Sequence, residues 1–318
     1  MKNKFDSKQN SSSKSCFEAS DGILITTDKN LDLGYENKKW LYFLMAPIMW
    51  ILTLWVAIKK KILGSNLKVN TFWVDGLSAI CREIKETATT WRALDIVYNY
   101  EFEKRKGFKG KITDFWLKIL NAQALRNRFK LVKQKLKEEI EIISQKESEI
   151  RLFSIASGSA QAVVEVMAEL KEKNIKAIFL DLDPMAIEHS KKLAQKAGVI
   201  DQITFINKGA NVLEEAIKKF NPHIIELVGF LEYRPEEKAI KLIERIYRVL
   251  APKGTLLVSN IYNNPESLFL HYVVNWSMIY RSPKKLAEII VKGGFNPQNC
   301  QIVFEPLKIH YIAECKKL

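Results

Sequence analysis

Polar and apolar residues are distributed differently in three parts of the chain. Residues 1–38 are rich in Ser, Asn, Lys and Asp and show little apolar periodicity, which predicts a mostly disordered tail. Residues 40–58 follow without a single charged side chain. After about residue 150, short apolar runs alternate with amphipathic segments. This last pattern predicts a domain in which strands and helices alternate.

The uncharged segment, with its flanks at residues 39–61, predicts a helix in or on a membrane. At the helical rise per residue, residues 40–58 are just long enough to span a hydrocarbon core of about 30 Å. Lys59–Lys61 close the segment, and aromatic residues typical of membrane interfaces lie along it: Trp40, Tyr42, Trp50 and Trp55. Pro47 permits a kink, so a half-buried hairpin, a helix lying in the interface and a buried core helix stay open as alternatives. The segment lies too far from the start to be an ordinary signal peptide.

Residues 62–145 predict a helical, strongly basic region that we expect on the acceptor side of the site. The apolar spacing over 113–141 predicts one long amphipathic helix, with Thr113 or Asp114 as its N-cap. Between Lys104 and Lys137, Asp114 is the single acid among twelve Lys and Arg residues. Such density attracts phosphates, either those of an anionic membrane surface or those of nucleic acid, unless it is only a solvated helix face.

Residues 146–318 predict an α/β domain with a Rossmann-like, seven-stranded sheet. Strand and helix alternating at this interval require a parallel sheet with helices on both faces. The last two strands are expected to form a hairpin at the sheet edge. The predicted strands are 151–156, 176–181, 202–207, 223–228, 255–261, 300–305 and 308–314, and the predicted helices are 160–173, 184–197, 211–219, 235–250 and 283–293.

A turn of small residues, "FSIASGSAQ" at 153–161, joins the first of these strands to its helix. Small residues let a backbone approach a ligand, and the amides of a helix start attract negative charge. Asp181 ends the next strand, where a carboxylate can hold a ribose hydroxyl pair. Asp183 precedes Pro184 and is predicted to cap the following helix.

This layout resembles that of the class I S-adenosylmethionine-dependent methyltransferases. The resemblance implies S-adenosylmethionine as cofactor and places Ala156, Gly158 and Ala160 at the three glycine positions of the family loop. Alanine takes one methyl group of clearance from the cofactor and in practice forbids a positive φ, so the loop is altered from the family pattern, and the usual acidic position holds Ser154. No Asp follows the third strand, which leaves Asn211 or backbone groups for the adenine. The implied cofactor residues are Ser154, Ala156, Ser157, Gly158, Ser159, Asp181, Leu182, Ala210 and Asn211.

A narrower resemblance appears in "GFLEYRP", "SNIYNNP" and "NWSMIYRSPKKL", and upstream in "NAQALRNRFKLVKQKL". These segments are similar to the 3-hydroxypalmitic acid methyl ester synthases, and the similarity covers about residues 90–318. It implies a lipophilic small-molecule acceptor whose fatty acyl carboxylate is methylated.

A carboxylate acceptor is ionised at neutral pH and needs a positioning group more than a base. Arg281 suits a bidentate hold on such a carboxylate. Glu226 lies in an otherwise apolar strand and must have a partner there, and if it is a base the acceptor could be an amine or a hydroxyl. The full set of predicted catalytic residues is Glu226, Tyr233, Tyr262, Tyr280 and Arg281.

Composition limits the remaining alternatives. The 318 residues carry a formal net charge of +14, and the four cysteines and four histidines are dispersed, so we expect neither a metal site nor a disulfide framework. The expected location is a membrane, with the catalytic domain in the cytoplasm. Two rivals stay open: an RNA methyltransferase that uses residues 104–137, although no RNA-binding module is recognisable, and an inactive membrane-anchored scaffold that has lost its cofactor.

Overall fold

A computed structural model describes residues 17–18, 22–64, 68–217 and 219–318. Its strands are β1 (Phe17–Glu18), β2 (Leu24–Thr27), β3 (Ile150–Ile155), β4 (Ile175–Asp181), β5 (Ile203–Asn207), β6 (Ile224–Leu227), β7 (Thr255–Ile261), β8 (Cys300–Phe304) and β9 (His310–Lys316). Its α-helices are α1 (Trp40–Leu63), α2 (Ala79–Glu86), α3 (Trp91–Tyr98), α4 (Gly107–Trp116), α5 (Leu120–Ser144), α6 (Gln161–Glu169), α7 (Pro184–Ala197), α8 (Leu213–Ala216), α9 (Glu236–Val249), α10 (Ser267–Tyr272) and α11 (Pro283–Lys292).

The strands form one mixed sheet in the order β1-β2-β8-β9-β7-β6-β3-β4-β5. Strands β5, β4, β3, β6 and β7 are parallel neighbours, and β9 runs antiparallel between β7 and β8. Apolar clusters cover both faces of the sheet, as the near-continuous apolar strands require. The seven strands from β3 to β9 are those that the sequence predicts, so the expected fold class is confirmed.

The tail prediction is wrong for the part of residues 1–38 that the structure describes from residue 22 onward. β2 pairs in parallel with β8, with Ile25 opposite Ile302, and Ile23 is fully buried. The predicted terminal hairpin therefore does not form the sheet edge, because β2 covers β8. An exposed strand edge offers unpaired backbone groups, and a short apolar segment is enough to satisfy them. Residues 1–16 and 19–21 lie outside the described residues.

The predicted single helix over 113–141 is instead two helices, α4 and α5, and the predicted N-cap is wrong. Asp114 lies inside α4, where its carboxylate accepts a hydrogen bond of 2.6 Å from the Tyr100 hydroxyl. The start of α5 is capped from far along the chain: the buried Glu266 carboxylate accepts from the backbone amides of Leu120 and Asn121, each at 2.8 Å. A carboxylate at a helix N-terminus satisfies free amides and complements the helix dipole.

The basic stretch 104–137 is not a free cationic surface along α5. Arg126 pairs with Glu36, Arg128 lies by Glu232, and Lys133 bridges two glutamates of α6. Further ion pairs with acidic residues involve Lys104, Lys135 and Lys137. Much of the charge that stands out in the sequence is therefore neutralised within the protein.

Among the described helices, α1 is the one that is long and apolar enough to cross a membrane. Of its most apolar 18-residue segment, 28% is buried inside the protein. Met45, Met49 and Val56 pack into an apolar cluster shared with α2, α3 and α10. The structure thus places α1 against α2, α3 and α10, and we call the described chain outside α1 the body.

Candidate active site

The turn after β3 has the left-handed backbone that a ligand-binding loop of this kind requires. Ala156, Gly158 and Ala160 have φ values of 51°, 55° and 48°. The expectation that alanine in practice forbids a positive φ is wrong, since both alanines adopt the left-handed region, which costs backbone strain. The loop is fixed to β4, because the Ser157 amide donates to the Leu180 carbonyl at 3.1 Å.

Asp181 joins this loop to the start of α7. Its carboxylate accepts from the Gly158 amide at 2.7 Å and from the Asp183 amide at 2.8 Å. Burial raises the pKa of Asp181, although these hydrogen bonds act in the opposite direction. Asp183 in turn caps α7 by accepting from the Met185 amide, as predicted. Because a carboxylate can accept about four hydrogen bonds, Asp181 retains capacity for a ligand's hydroxyl groups.

A groove of about 550 Å³ runs along this loop at the carboxyl ends of the strands. Nine of the residues predicted for the site line it, and Ala160 of the same loop lies beside them; the nine are Ala156, Ser157, Gly158, Ser159, Asp181, Leu182, Ala210, Glu226 and Tyr233. Asn211 does not line the groove; it is exposed, and its carbonyl accepts from Arg245. Ser154 lies behind the groove wall and is fully buried.

Two features of the loop fit the implied cofactor: a polar atom without a hydrogen-bond partner and a glycine beside a covering tryptophan. The buried Ser157 hydroxyl has no hydrogen-bond partner among the described residues, so the loop presents an unused polar atom. A Cβ at Gly158 would lie 3.1 Å from the Cβ of Trp91. Trp91, at the start of α3, covers the loop and donates its indole N–H to Asp183 at 2.9 Å. The N-terminal helices therefore form the outer wall of the groove.

Glu226 places a carboxylate next to Ser154, the residue that stands at the usual acidic position of the family loop. It lies on β6 directly opposite Ser154 of β3, and the Ser154 hydroxyl donates to it. Burial raises the pKa of Glu226 to about 7, with the Ser154 hydrogen bond and Arg128 acting against that shift. The prediction that Glu226 must have a partner is confirmed, and the partner is Ser154.

A second, mostly apolar cavity of about 70 Å³ lies beside the groove, and we call it the chamber. Residues of α2, α3, α5 and α10 form its walls, among them Ile84, Val97, Leu125 and Phe269. The groove and the chamber share four lining residues, namely Leu94, Arg128, Gly229 and Tyr233. A ligand in either cavity therefore meets the other at this shared wall.

Arg128 is the cation of the shared wall. It is 1% exposed; its guanidinium donates to the Tyr98 hydroxyl at 2.6 Å and lies 3.4 Å from a carboxylate oxygen of Glu232. Burial disfavours its charge, but Tyr98 and Glu232 outweigh that effect and raise its pKa. Its Nε–H and the second Glu232 oxygen have no partner among the described residues. A buried charge with a free donor is suited to a ligand that brings its own acceptor.

His310 is a further buried polar residue of the chamber wall. Burial and the nearby Arg128 charge lower its pKa well below the usual value, so it is neutral. Its Nδ1 is buried and has no partner among the described residues. Sequence reasoning missed Arg128, Glu232 and His310. The sequence signal for Arg128 was hidden in the basic stretch, where it could not be told apart from eleven other cations.

Three of the predicted catalytic residues lie elsewhere. The Arg281 guanidinium donates to the backbone carbonyls of Leu231 (2.9 Å) and Arg234, and Arg281 lines neither the groove nor the chamber. Its role here is to hold a turn, so the carboxylate hold assigned to it from the sequence has no support. Tyr280 packs in a separate apolar cluster, and Tyr262 is 42% exposed beside Phe304. Tyr233 does line both cavities, and its hydroxyl accepts from the Trp276 indole at 2.7 Å.

Solved structures are similar to parts of this chain at low sequence identity. A possible exported protein from Bordetella parapertussis is 14% identical with a TM-score of 0.61, over 73% of this chain and 80% of that one. An O-methyltransferase family protein from Burkholderia thailandensis is 13% identical over 64% of this chain and 62% of that one, with a TM-score of 0.45. A methyltransferase from Geobacter sulfurreducens in complex with S-adenosyl-L-homocysteine is 20% identical over 41% of this chain and 48% of that one, with a TM-score of 0.33. At such identities the first of these shows the fold alone.

No curated protein sequence matches the chain. A family model does match, over residues 54–309, and its description is "Putative methyltransferase". That match includes the cofactor loop, Asp181 and the shared wall, and it supports S-adenosylmethionine as the cofactor of the groove. Because the match covers most of the chain, the protein belongs to this methyltransferase family.

Proposed function

We propose that the protein methylates the carboxylate of a lipophilic acid, most simply a fatty acid, at the wall between the groove and the chamber. The observation that carries this proposal is the buried Arg128, which lines both cavities and whose Nε–H has no partner among the described residues. A carboxylate drawn into an apolar cavity loses its hydration and must be paired, and a guanidinium suits that pairing better than an ammonium. The resemblance to 3-hydroxypalmitic acid methyl ester synthases points to the same acceptor.

When bound in the groove, S-adenosylmethionine supplies an electrophilic methyl group. The loop 156–160 and Asp181 would hold it there, through backbone amides and the carboxylate. Arg128 would bind one oxygen of the acceptor carboxylate and leave the other unbound, so that the second oxygen keeps its nucleophilicity. Leu94 and the chamber walls exclude water, which strengthens each of these electrostatic contacts. Such catalysis rests on positioning, and it needs no base.

The chamber is large enough for the reactive end of an acid but not for a long chain, whose remainder must extend toward α1. This supports attachment of the protein to a membrane through α1, with the catalytic body on the cytoplasmic side where the cofactor is made. The RNA alternative loses its main support, because much of the basic stretch is paired within the protein. The scaffold alternative is disfavoured by a loop that keeps its left-handed form despite two alanines.

A second acceptor class has one observation in its favour. Glu226 lines the groove with a pKa raised to about 7, which is suited to a general base near neutral pH. A hydroxyl or amine acceptor would use such a base, whereas a carboxylate would not. Under this alternative, turnover rises with pH through about 7 and is lost in Glu226→Gln.

The test compares two buried arginines in the purified full-length protein. Arg128→Lys replaces a fork of donors by a point charge and is expected to lower turnover of a 3-hydroxy fatty acid at least about tenfold. Its affinity for S-adenosylmethionine, measured by calorimetry, is expected to change little. Arg281→Lys is the matched control and is expected to retain turnover, with thermal unfolding of both variants reporting any loss of fold.

Full activity of Arg128→Lys would refute its role, and methylation of hydroxyls or amines but of no acid would refute the acceptor class. Mass spectrometry of lipid extracts from cells with and without the expressed gene identifies the natural methyl ester.

A further inference from the structure

Helix α1 has two apolar faces, and the described part of the chain covers only one of them. Met45, Met49, Leu52 and Val56 lie on one side and pack into the body. The opposite side carries large apolar side chains that are between 40% and 75% exposed: Trp40, Phe43, Leu44, Ile48, Trp50, Ile51, Leu54, Trp55, Ile58, Ile62 and Leu63. We call this the outer face of α1. A contiguous apolar surface of this kind is rare on a protein that meets only water.

Both ends of α1 are tied to the same body. Just before the helix, Glu36 pairs with Arg126, and the Lys38 amide donates to the Gln123 side chain at 2.9 Å. Near its end, Lys60 donates to the Asn275 side chain, also at 2.9 Å. From Lys38 to Lys60 the helix is roughly 33 Å long. A spanning α1 would therefore draw α10 and the start of α5 into the hydrocarbon along with it.

We propose that α1 lies in the plane of one anionic membrane leaflet, with its outer face among the acyl chains and the body on the aqueous side. Lysines at both ends of α1 support an anionic membrane as the partner of the outer face. Lys39 and Lys61 are exposed, and Lys59 lies over the Trp55 ring at 4.0 Å. A helix with an apolar face, interfacial tryptophans and terminal lysines is typical of in-plane membrane binding.

This arrangement also places an entrance for the acceptor, and that part rests on the proposed function. A small crevice lies between α1 and the start of α10, and Tyr42, Trp50, Pro265 and Leu268 line it. Phe269 borders both this crevice and the chamber, and its ring stacks on Trp116 at 5.3 Å. An acyl chain that leaves the leaflet beside α1 would thus reach the chamber by displacing one aromatic ring.

The orientation is tested by labelling the two helix ends on sealed vesicles of phosphatidylcholine and phosphatidylglycerol. Lys39→Cys and Lys61→Cys variants are added from outside and treated with a membrane-impermeant maleimide, with the parent chain giving the background. An in-plane helix is expected to be labelled equally at both positions. Labelling of one position, with the other reacting only after detergent, would overturn the proposal in favour of a spanning helix.

The docking surface is tested with two exposed isoleucines on helices. Ile51→Arg, on the outer face, is expected to lower vesicle binding at least about tenfold in a flotation assay. Ile142→Arg, on α5, is the matched control and is expected to bind as the parent does. Equal binding of all three proteins would overturn the proposal. So would a dimer that Ile51→Arg converts to a monomer without any vesicle binding, since a second copy would then be the occupant.

Membrane docking and chemistry are separated by two further readouts. A photoreactive fatty acid placed in the vesicles is expected to crosslink to residues 265–269 of the parent chain, and crosslinks found only elsewhere would overturn the entrance. Ile51→Arg is expected to lose turnover of a long-chain acid held in vesicles and to retain turnover of a dissolved short-chain acid. If no acid is methylated under any condition, the proposed function fails, while flotation and labelling still decide the docking.

Discussion

Replacing Ala156 by glycine tests whether the cofactor loop stores backbone strain. Ala156 has a φ of 51° and is half-exposed in the groove wall. An L-residue with a side chain costs about 1–2 kcal/mol in the left-handed region, whereas glycine adopts it freely. The change therefore removes that cost from the folded state. It also makes the unfolded chain more flexible, which offsets part of the gain by about 0.4–1 kcal/mol.

Ala162→Gly is the matched control, because Ala162 lines the same groove and is also half-exposed but lies in α6. In a helix the same substitution costs about 1 kcal/mol. The unfolded-state change is common to both variants, so the difference between them reports the left-handed strain. We expect Ala156→Gly to be about 1–2 kcal/mol more stable than Ala162→Gly, and between neutral and about 1 kcal/mol more stable than the parent.

Ala160→Gly should gain less, because its methyl group is buried at 7% exposure and its loss costs up to about 0.8 kcal/mol. Urea unfolding followed by circular dichroism without cofactor gives the free energies, and thermal scans give the same order. Equal destabilisation by Ala156→Gly and Ala162→Gly would refute the strain, and with it the left-handed loop.

Three further predictions concern the groove. Asp181→Ala is expected to weaken S-adenosylmethionine binding at least about tenfold by calorimetry, with Asp201→Ala as an exposed control; unchanged binding would remove Asp181 from the cofactor site. Burial raises the folded pKa of Glu226 from 4.5 to about 7, so between these pH values the folded protein binds the extra proton and loses stability as pH rises. Glu226→Gln should lack this loss and gain up to about 3 kcal/mol on the parent between pH 4 and pH 8, and parallel stability curves would contradict that. Binding of the cationic cofactor at pH 7 should release about half a proton, detected by calorimetry in buffers of different ionisation enthalpy, and Glu226→Gln should release none.

The alternating part of the chain could be predicted because its elements are set by local pattern. The bounds predicted for α7 and β7 agree with the structure, and β8 and β9 differ by one or two residues at their ends. The break between α4 and α5 could not be predicted, because its cause is Glu266, a side chain about 146 positions away. Local apolar spacing continues across the break and carries no trace of that contact.

The candidate site could be predicted only where its residues lie close together in the sequence. Loop residues and Asp181 follow each other in a short strand-turn-helix-strand segment, so spacing alone brings them together. The shared wall joins α3, α5 and the turn after β6, which no spacing relates. Arg128 and Arg281 look equally suitable in the sequence, and only the packing shows that backbone carbonyls occupy the second while the first has a donor free.

The pairing of β2 with β8 has a consequence for the order in which the protein is made. Leu24 is opposite Gln301, so the strand that leads into α1 can pair with β1 early but lacks its β8 partner until nearly the whole chain has left the ribosome. At ~5–20 residues per second this interval is on the order of tens of seconds. During that time the inner face of α1 lacks the part of its cover that α10 supplies, because Phe269 and its neighbours are synthesised late. Under the proposed docking of α1 on a membrane leaflet, the nascent chain can therefore reach the membrane before the sheet of the enzyme is complete.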